Sequence, residues 1–420
     1  MIILAIFGFA SALLILLLAF FEPGLPYRMP GRVDFASDSA EFARLLALVA
    51  DAHLYNDSVF EVLTNGDRFY DAELAAIRSS RSFICLEAYI FQKGQIADRF
   101  IEALAERARA GVDVRLVLDA VGSFNIWRSA FRELVSAGGQ VHWYNPLRWY
   151  NLGRYDSRTH REMLIVDGAI AFIGGAGVAD HWYKSRGRKR RWRDTMVMVR
   201  GQAVDSLQAM FVENWLESSG ELLSSNKYYP AKAAEGNGCS MVINSTPSSG
   251  RSTRARMVFQ ILITTAGRWI HITTPYFLPD KGVRRALIEA MDRGVEIKIL
   301  VPGKQSDHLL TRRSSRRLYG SLLQKGAQIY EYQPSMIHTK SVVVDGIWSI
   351  VGSTNFDSRS FGINDEVNVA ALDEGLAARL EEDFRADLSV SQQITYQEWR
   401  NRPAIERANE WLGWLIERQE

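Results

Sequence analysis

The chain alternates between two spacings of apolar residues, one helical and one suited to buried strands. RFYDAELAAIRSS (68–80) places apolar residues at helical intervals, and SFICLEAYIF (82–91) is an apolar run of buried-strand length. QIADRFIEALAERARAG (95–111) predicts a helix stopped by glycine, and VDVRLVLDAVGS (112–123) a second buried strand. The same order returns later. RARMVFQILITTAG (254–267) predicts a helix, RWIHITTPYFLP (268–279) a strand, KGVRRALIEAMDRG (281–294) a helix with the same glycine stop, and VEIKILVPGKQS (295–306) a strand. Each copy continues through a further helix into a short strand, GGQVHWYNP in the first and GAQIYEYQP in the second.

This is an internal duplication with a period near 180 residues, too long for a solenoid. It implies an α/β fold of two αβα lobes related by a pseudo-twofold axis. The first lobe is expected over residues 55–216 and the second over 241–390. The Ser/Asn/Gly/Ala-rich stretch 217–240 bridges them, and 23–54 forms a linker with a short helix. Residues 391–420 end in AIERANEWLGWLIERQE, which predicts a C-terminal amphipathic helix. Its Trp411, Leu412, Trp414, Leu415 and Ile416 suit either core packing or a membrane interface.

The first 21 residues break the pattern, because they carry no charge and are followed by EPGLP. Such a run spans about 30 Å as a helix, one hydrocarbon core. It lacks the basic start and small-residue cleavage site of a signal peptide, so residues 1–22 are expected to be a transmembrane anchor. Arg28 and Arg32 follow the run, which favours a single-pass protein of the cell membrane with a cytoplasmic body. Net charge is only +2, which disfavours a nucleic-acid partner, and Cys85 and Cys239 imply no disulfide framework. The stretch KSRGRKRRWR (184–193) is basic at seven of ten positions and suits an anionic lipid surface.

The candidate chemistry lies in two segments 178 residues apart, HREMLIVD from His160 and HTKSVVVD from His338. Each reads as a strand entering a glycine turn. An imidazole beside a fixed ammonium is suited to a phosphodiester, because Lys340 would hold nonbridging oxygens while His338 attacks phosphorus or delivers a proton. No zinc, calcium or nucleotide motif accompanies them, so no cofactor or metal is expected. His53, His142, His181, His271 and His308 show no ligand spacing and read as structural.

HTKSVVVDGIWSIVGSTNFDSRSFGINDE closely resembles the second signature of the phospholipase D superfamily, in particular its bacterial cardiolipin synthases. HREMLIVDGAIAFIGGAGVADHW, followed by WRDTMVMVRG, resembles their first. The resemblance implies a phosphatidyltransferase that acts on phospholipids such as phosphatidylglycerol through a phosphohistidine. A hydrolase of the same site, a nuclease and an inactive scaffold are the alternatives. It further implies that His160 and His338 meet at the lobe interface, one as nucleophile and one as acid and base. By convention the N-terminal histidine is the nucleophile. Asp194 is expected to orient His160 and Glu366 to orient His338, with Asp167 and Asp345 holding the turns. Ser353 and Asn355 resemble phosphate ligands.

Two positions depart from that pattern. Glu162 stands where a lysine is expected, and Gly177 where an asparagine matching Asn355 is usual. An ionised carboxylate 4 Å from a phosphate would be repelled by about 4 kcal/mol at an effective dielectric of 20, worth roughly a thousandfold in rate. Either Glu162 is paired, with Arg154 or Arg158 or with a polar group of the substrate, or the first half-site has decayed. Arg161 should point to the opposite face.

Overall fold

A computed structural model describes residues 33–146, 157–187, 189–231, 234–247, 253–407 and 410, with Gly8 and Ser11 isolated before them. The apolar run read as an anchor otherwise lies outside the described residues, as do Arg28, Arg32, Arg154 and the Trp411–Ile416 cluster. Among the described residues no helix is long and apolar enough to cross a membrane.

Each expected helix–strand unit forms. The first half contributes β1 (Tyr55–Thr64), β2 (Phe83–Ala88), β3 (Asp113–Asp119), β4 (Gln140–Tyr144), β5 (Met163–Val166), β6 (Ile170–Gly174) and β7 (Thr195–Arg200). The second contributes β8 (Gly238–Ser245), β9 (Trp269–Thr273), β10 (Glu296–Pro302), β11 (Gln328–Tyr332), β12 (Ser341–Val344), β13 (Trp348–Gly352) and β14 (Glu366–Leu372). From the junction outward, β1-β7-β6-β5-β2-β3-β4 in one half repeats as β8-β14-β13-β12-β9-β10-β11 in the other. The halves join where β1 meets β8, at Tyr55↔Ser240 and Ser58↔Gly238 with an irregularity between.

Strands such as β2 and β13 are buried along their whole length, because helices or the other half cover both faces. Helices Gly66–Ser79 and Gln95–Arg109 cover the outer face of the first half, and Arg254–Thr265, Lys281–Asp292 and Leu309–Gln324 that of the second. A shared core lies between the halves. There Cys85, Ile165 and Val197 meet Val343, Val351 and Val369, together with Leu207 and Phe211 of helix Ala203–Ser219 and Leu380 of helix Glu374–Ser389.

Three boundaries shift from expectation. Helix Ala203–Ser219 runs past 216, and β8 begins at Gly238, so the connecting stretch is shorter than 217–240. Residues Ser391–Ile394 form a fifteenth strand, β15, antiparallel to β11, rather than opening a helix. Without it the β11 edge would be unpaired. The short helix Ala40–Ala50 packs on the second half, with Phe42 edge-on to Trp348 at 5.9 Å.

Candidate active site

Each signature segment is a hairpin with its histidine just ahead of the first strand. β5 turns at Asp167 and Gly168 into β6, and β12 turns at Asp345 and Gly346 into β13. Asp167 and Asp345 sit at φ 53° and 55°, a left-handed conformation that aspartate tolerates. Their carboxylates reach beyond the turn. Asp167 accepts from the backbone N–H groups of Arg81, Ser82 and Phe83, and Asp345 from those of Gly267, Arg268 and Trp269. They therefore anchor the entry to β2 and β9, at the hairpin ends remote from the histidines.

Backbone bridges across the seam bring the histidines together. His160 donates its N–H to Asp365 O at 2.8 Å, and His338 donates to Arg193 O at 2.7 Å. Each histidine thereby lies beside the residue that precedes the other half's carboxylate. His338 Nδ1 is 3.0 Å from Asp194 Oδ2, and His160 Nδ1 is 3.2 and 3.3 Å from the two oxygens of Glu366. The expected pairing is thus reversed: Asp194 serves His338 and Glu366 serves His160. The reason is topological, since Asp194 immediately precedes β7 and Glu366 opens β14, and both strand starts point across the seam.

Lys340 lies between the two half-sites. Its Nζ is 3.1 Å from His338 Nδ1, and a Cβ added to Gly175 of the first half would stand 2.9 Å from it. Burial lowers the Lys340 pKa from its usual value, while Asp194 and Glu366 favour its charge. Burial and the adjacent Lys340 also lower the pKa of His338, against the opposing pull of Asp194. A neutral His338 that donates Nδ1–H to Asp194 leaves Nε2 with a lone pair.

Ser353 does not take the role of phosphate ligand. Its hydroxyl donates to Glu366 Oε2 and accepts from Val367 N–H at 3.0 Å, so it positions the carboxylate behind His160. Asn355 is buried, and its Oδ1 has no hydrogen-bond partner among the described residues; a phosphate would be bound by its Nδ2–H rather than by that oxygen.

The aromatic frame of the site escapes a motif reading. Tyr89 lies 5.0 Å from the His160 ring and Tyr276 6.4 Å from the His338 ring, centroid to centroid. They occupy equivalent places in EAYIF and TPYFL, and that repeated tyrosine is the signal that could have found them. Trp182 and Trp192 flank His338 at 5.3 and 5.5 Å, and Trp182 Nε1 donates to Asp194 Oδ2. His181 packs between those tryptophans at 4.2 and 4.0 Å, and burial lowers its pKa to about 4.

Glu162 is buried and, among the described residues, pairs with no arginine. Its Oε1 accepts from Ile90 N–H at 3.1 Å. Arg158 instead reaches Asp119, at 3.5 Å, and the Asn145 carbonyl, at 2.9 Å. Arg161 does point to the other face, where it binds Met210 O, Glu213 and Asn244. Burial pushes the Glu162 carboxyl well above the usual carboxylate range, and Lys340 only partly offsets this. That shift favours the neutral acid, the form that can donate a proton and that escapes the repulsion expected of an ionised carboxylate.

Gly177 is bound up with Glu162. A Cβ there would stand 2.3 Å from Ile90 O and 2.9 Å from Glu162 Oε1, so an asparagine has no room. The two departures are one local rearrangement. Gly177→Ala is expected to destabilise the fold by about 1–3 kcal/mol, read by urea unfolding. An unchanged midpoint would show that Ile90 gives way freely.

Comparison with known proteins places this geometry. A family model described as "Cardiolipin synthase, PLD-like domain" matches residues 74–215 and 260–388. The chain belongs to the cardiolipin synthase family. The cardiolipin synthase of Geobacillus kaustophilus is 32% identical over 388 residues, spanning 92% of this chain and 77% of that protein. The major cardiolipin synthase ClsA of Bacillus subtilis is 32% identical over 383 residues, spanning 90% and 79%. Among solved structures, a phosphatidylserine synthase of Haemophilus influenzae superposes with a TM-score of 0.69 at 13% identity, covering 90% of this chain and all of that one. That likeness establishes the phospholipase D-like α/β fold. In this member of the cardiolipin synthase family, the second half keeps the lysine and asparagine, and the first carries the acid and glycine.

Proposed function

We propose that the protein is a phosphatidyltransferase that forms cardiolipin from phosphatidylglycerol, or from a related phospholipid, through a phosphohistidine. The reading is carried by the meeting of the two imidazoles around Lys340, each backed by the other half's carboxylate, in a chain of the cardiolipin synthase family. One imidazole nitrogen attacks phosphorus, the P–O bond to the head-group alcohol breaks, and the other imidazolium protonates the leaving oxygen. That second imidazole then removes the proton from an incoming lipid hydroxyl. A new P–O bond forms as the P–N bond breaks.

The environment of His338 suits the attacking group, because burial and Lys340 favour its neutral form. This departs from the convention that the N-terminal histidine attacks. Lys340 stabilises the equatorial oxygens, and Asn355 offers its buried amide to the same phosphate. Glu162, as a neutral acid, donates a hydrogen bond to the substrate where a lysine would otherwise stand. The apolar run at residues 1–21 supports a membrane anchor, with the two lobes on the cytoplasmic side.

The test is product analysis with the purified full-length protein and labelled phosphatidylglycerol. Cardiolipin and free glycerol are expected, and phosphatidic acid alone would make the protein a hydrolase.

The protonation state of Glu162 has its own signature. Its pKa in the fold lies above the unfolded value near 4.5. The acid is therefore tolerated fully below about pH 4.5, and that tolerance is lost as pH rises through the folded pKa. Glu162→Gln should leave unfolding unchanged at pH 4.5 and stabilise the protein at pH 8, with turnover retained within about threefold. Stabilisation that is equal at both pH values would show that the carboxyl ionises normally.

A further inference from the structure

The two tyrosines that frame the histidines also support two exposed loops. The loop after β3 packs on Tyr89: Ser123 Oγ donates to Tyr89 O at 2.9 Å, and a Cβ on Gly122 would stand 2.7 Å from the tyrosine ring. In the equivalent loop after β10, Asp307 accepts from the Tyr276 hydroxyl at 2.8 Å. Each loop thus leaves the strand end beside its own half's histidine, and both border the seam where the histidines meet. Large apolar side chains are exposed at both. Phe124 and Trp127 are 76% and 77% exposed on the first loop, and Leu309 and Leu310 are 54% and 44% exposed in the first turn of helix Leu309–Gln324, where the second loop ends.

Duplication has thus placed exposed apolar groups on both sides of one cleft, where a water-facing enzyme would carry polar ones. Cations surround them. Lys93 and Arg128 lie near the first loop and Lys304 on the second, all exposed. Lys184, Arg186, Lys189 and Arg190 are exposed on the stretch between Trp182 and Trp192, the two rings against His338. Exposed apolar groups accompanied by exposed cations match an anionic bilayer, in which tryptophan and leucine enter the headgroup–acyl boundary while lysine and arginine meet phosphates.

We propose that Phe124 and Trp127 on the first loop, and Leu309 and Leu310 at the start of the helix that ends the second, are paired wedges that insert into an anionic lipid surface and seat the active-site cleft on it. The proposal rests on the phosphatidyl-transfer reading for its purpose and on the exposed residues for its geometry. A lipid would then pass from the bilayer to the histidines without crossing water.

The test has two arms, each with the full chain. In nanodiscs of phosphatidylcholine and phosphatidylglycerol with brominated acyl chains, Trp127→Phe should remove a quenched component that wild type shows. Equal quenching of the two proteins would overturn the insertion. In the second arm, the double variants Phe124→Ser/Trp127→Ser and Leu309→Ser/Leu310→Ser should lower turnover of bilayer phosphatidylglycerol at least tenfold. Turnover of dissolved short-chain phosphatidylglycerol should stay within about twofold. Equal losses on both substrates would place the loops in the chemistry instead. A dimer in detergent that both double variants abolish, without lipid quenching, would assign the patch to a second copy of the chain. Should wild type turn over neither substrate, the transfer reading fails, while the quenching arm still decides the docking.

Discussion

His160→Asn is expected to leave a protein that accumulates a covalent phosphatidyl adduct on His338, whereas His338→Asn forms none. The substrate that reveals this is phosphatidyl-p-nitrophenol, whose leaving group departs without a proton. With it, His160→Asn should release one equivalent of nitrophenol in a burst and then stall, since no base remains to activate the acceptor. On phosphatidylglycerol both variants should lose turnover by about 10⁴-fold, because each histidine acts in both chemical steps. The expectation follows from the surroundings of His338, buried beside Lys340 and tending to neutrality. An adduct formed by His338→Asn and absent from His160→Asn would reverse the roles and restore the family convention.

Lys340→Met should lower turnover by about 10³-fold with little change in KM. The first half offers Glu162 where its lysine would be, so in the proposed mechanism the Lys340 ammonium serves the phosphate for both halves. Loss of one preorganised donor to a transferring group costs on the order of 10²–10³ in rate, and here the donor also carries the charge. Methionine fills the space, although the His338 carbonyl loses the hydrogen bond it accepts from Lys340 Nζ at 3.2 Å. Lys340→Arg should restore little, because the guanidinium is wider than the gap over Gly175. If Lys340→Met raised KM and spared kcat, the ammonium would act in binding alone.

The sequence shows most of the fold because the fold is a duplicated pattern. FICLEA, VRLVL, WIHIT and EIKILVP are apolar runs between helices, and they become β2, β3, β9 and β10. The joining strands are harder to see. YNDSVFEVLT mixes charge and apolar residues because β1 lies at the bent junction and is buried only in part. The histidines, the lysine and both carboxylates are visible as motif positions, and they do gather at one place. Their pairing is not visible, since spacing along the chain suggests partners within one half and the seam supplies partners from the other. Ser353 misleads for a related reason: a hydroxyl after the turn suits a phosphate equally well until Glu366 is seen to occupy it. Glu162 is legible as an anomaly, but its raised pKa is not, because that depends on burial and on Gly177 leaving it room.

The exchange of carboxylates across the seam bears on how the protein is made. Since His160 leans on Glu366, a chain still on the ribosome carries its first histidine for some two hundred residues before that support exists. The pairing of the first histidine is thereby incomplete until the second half has been made.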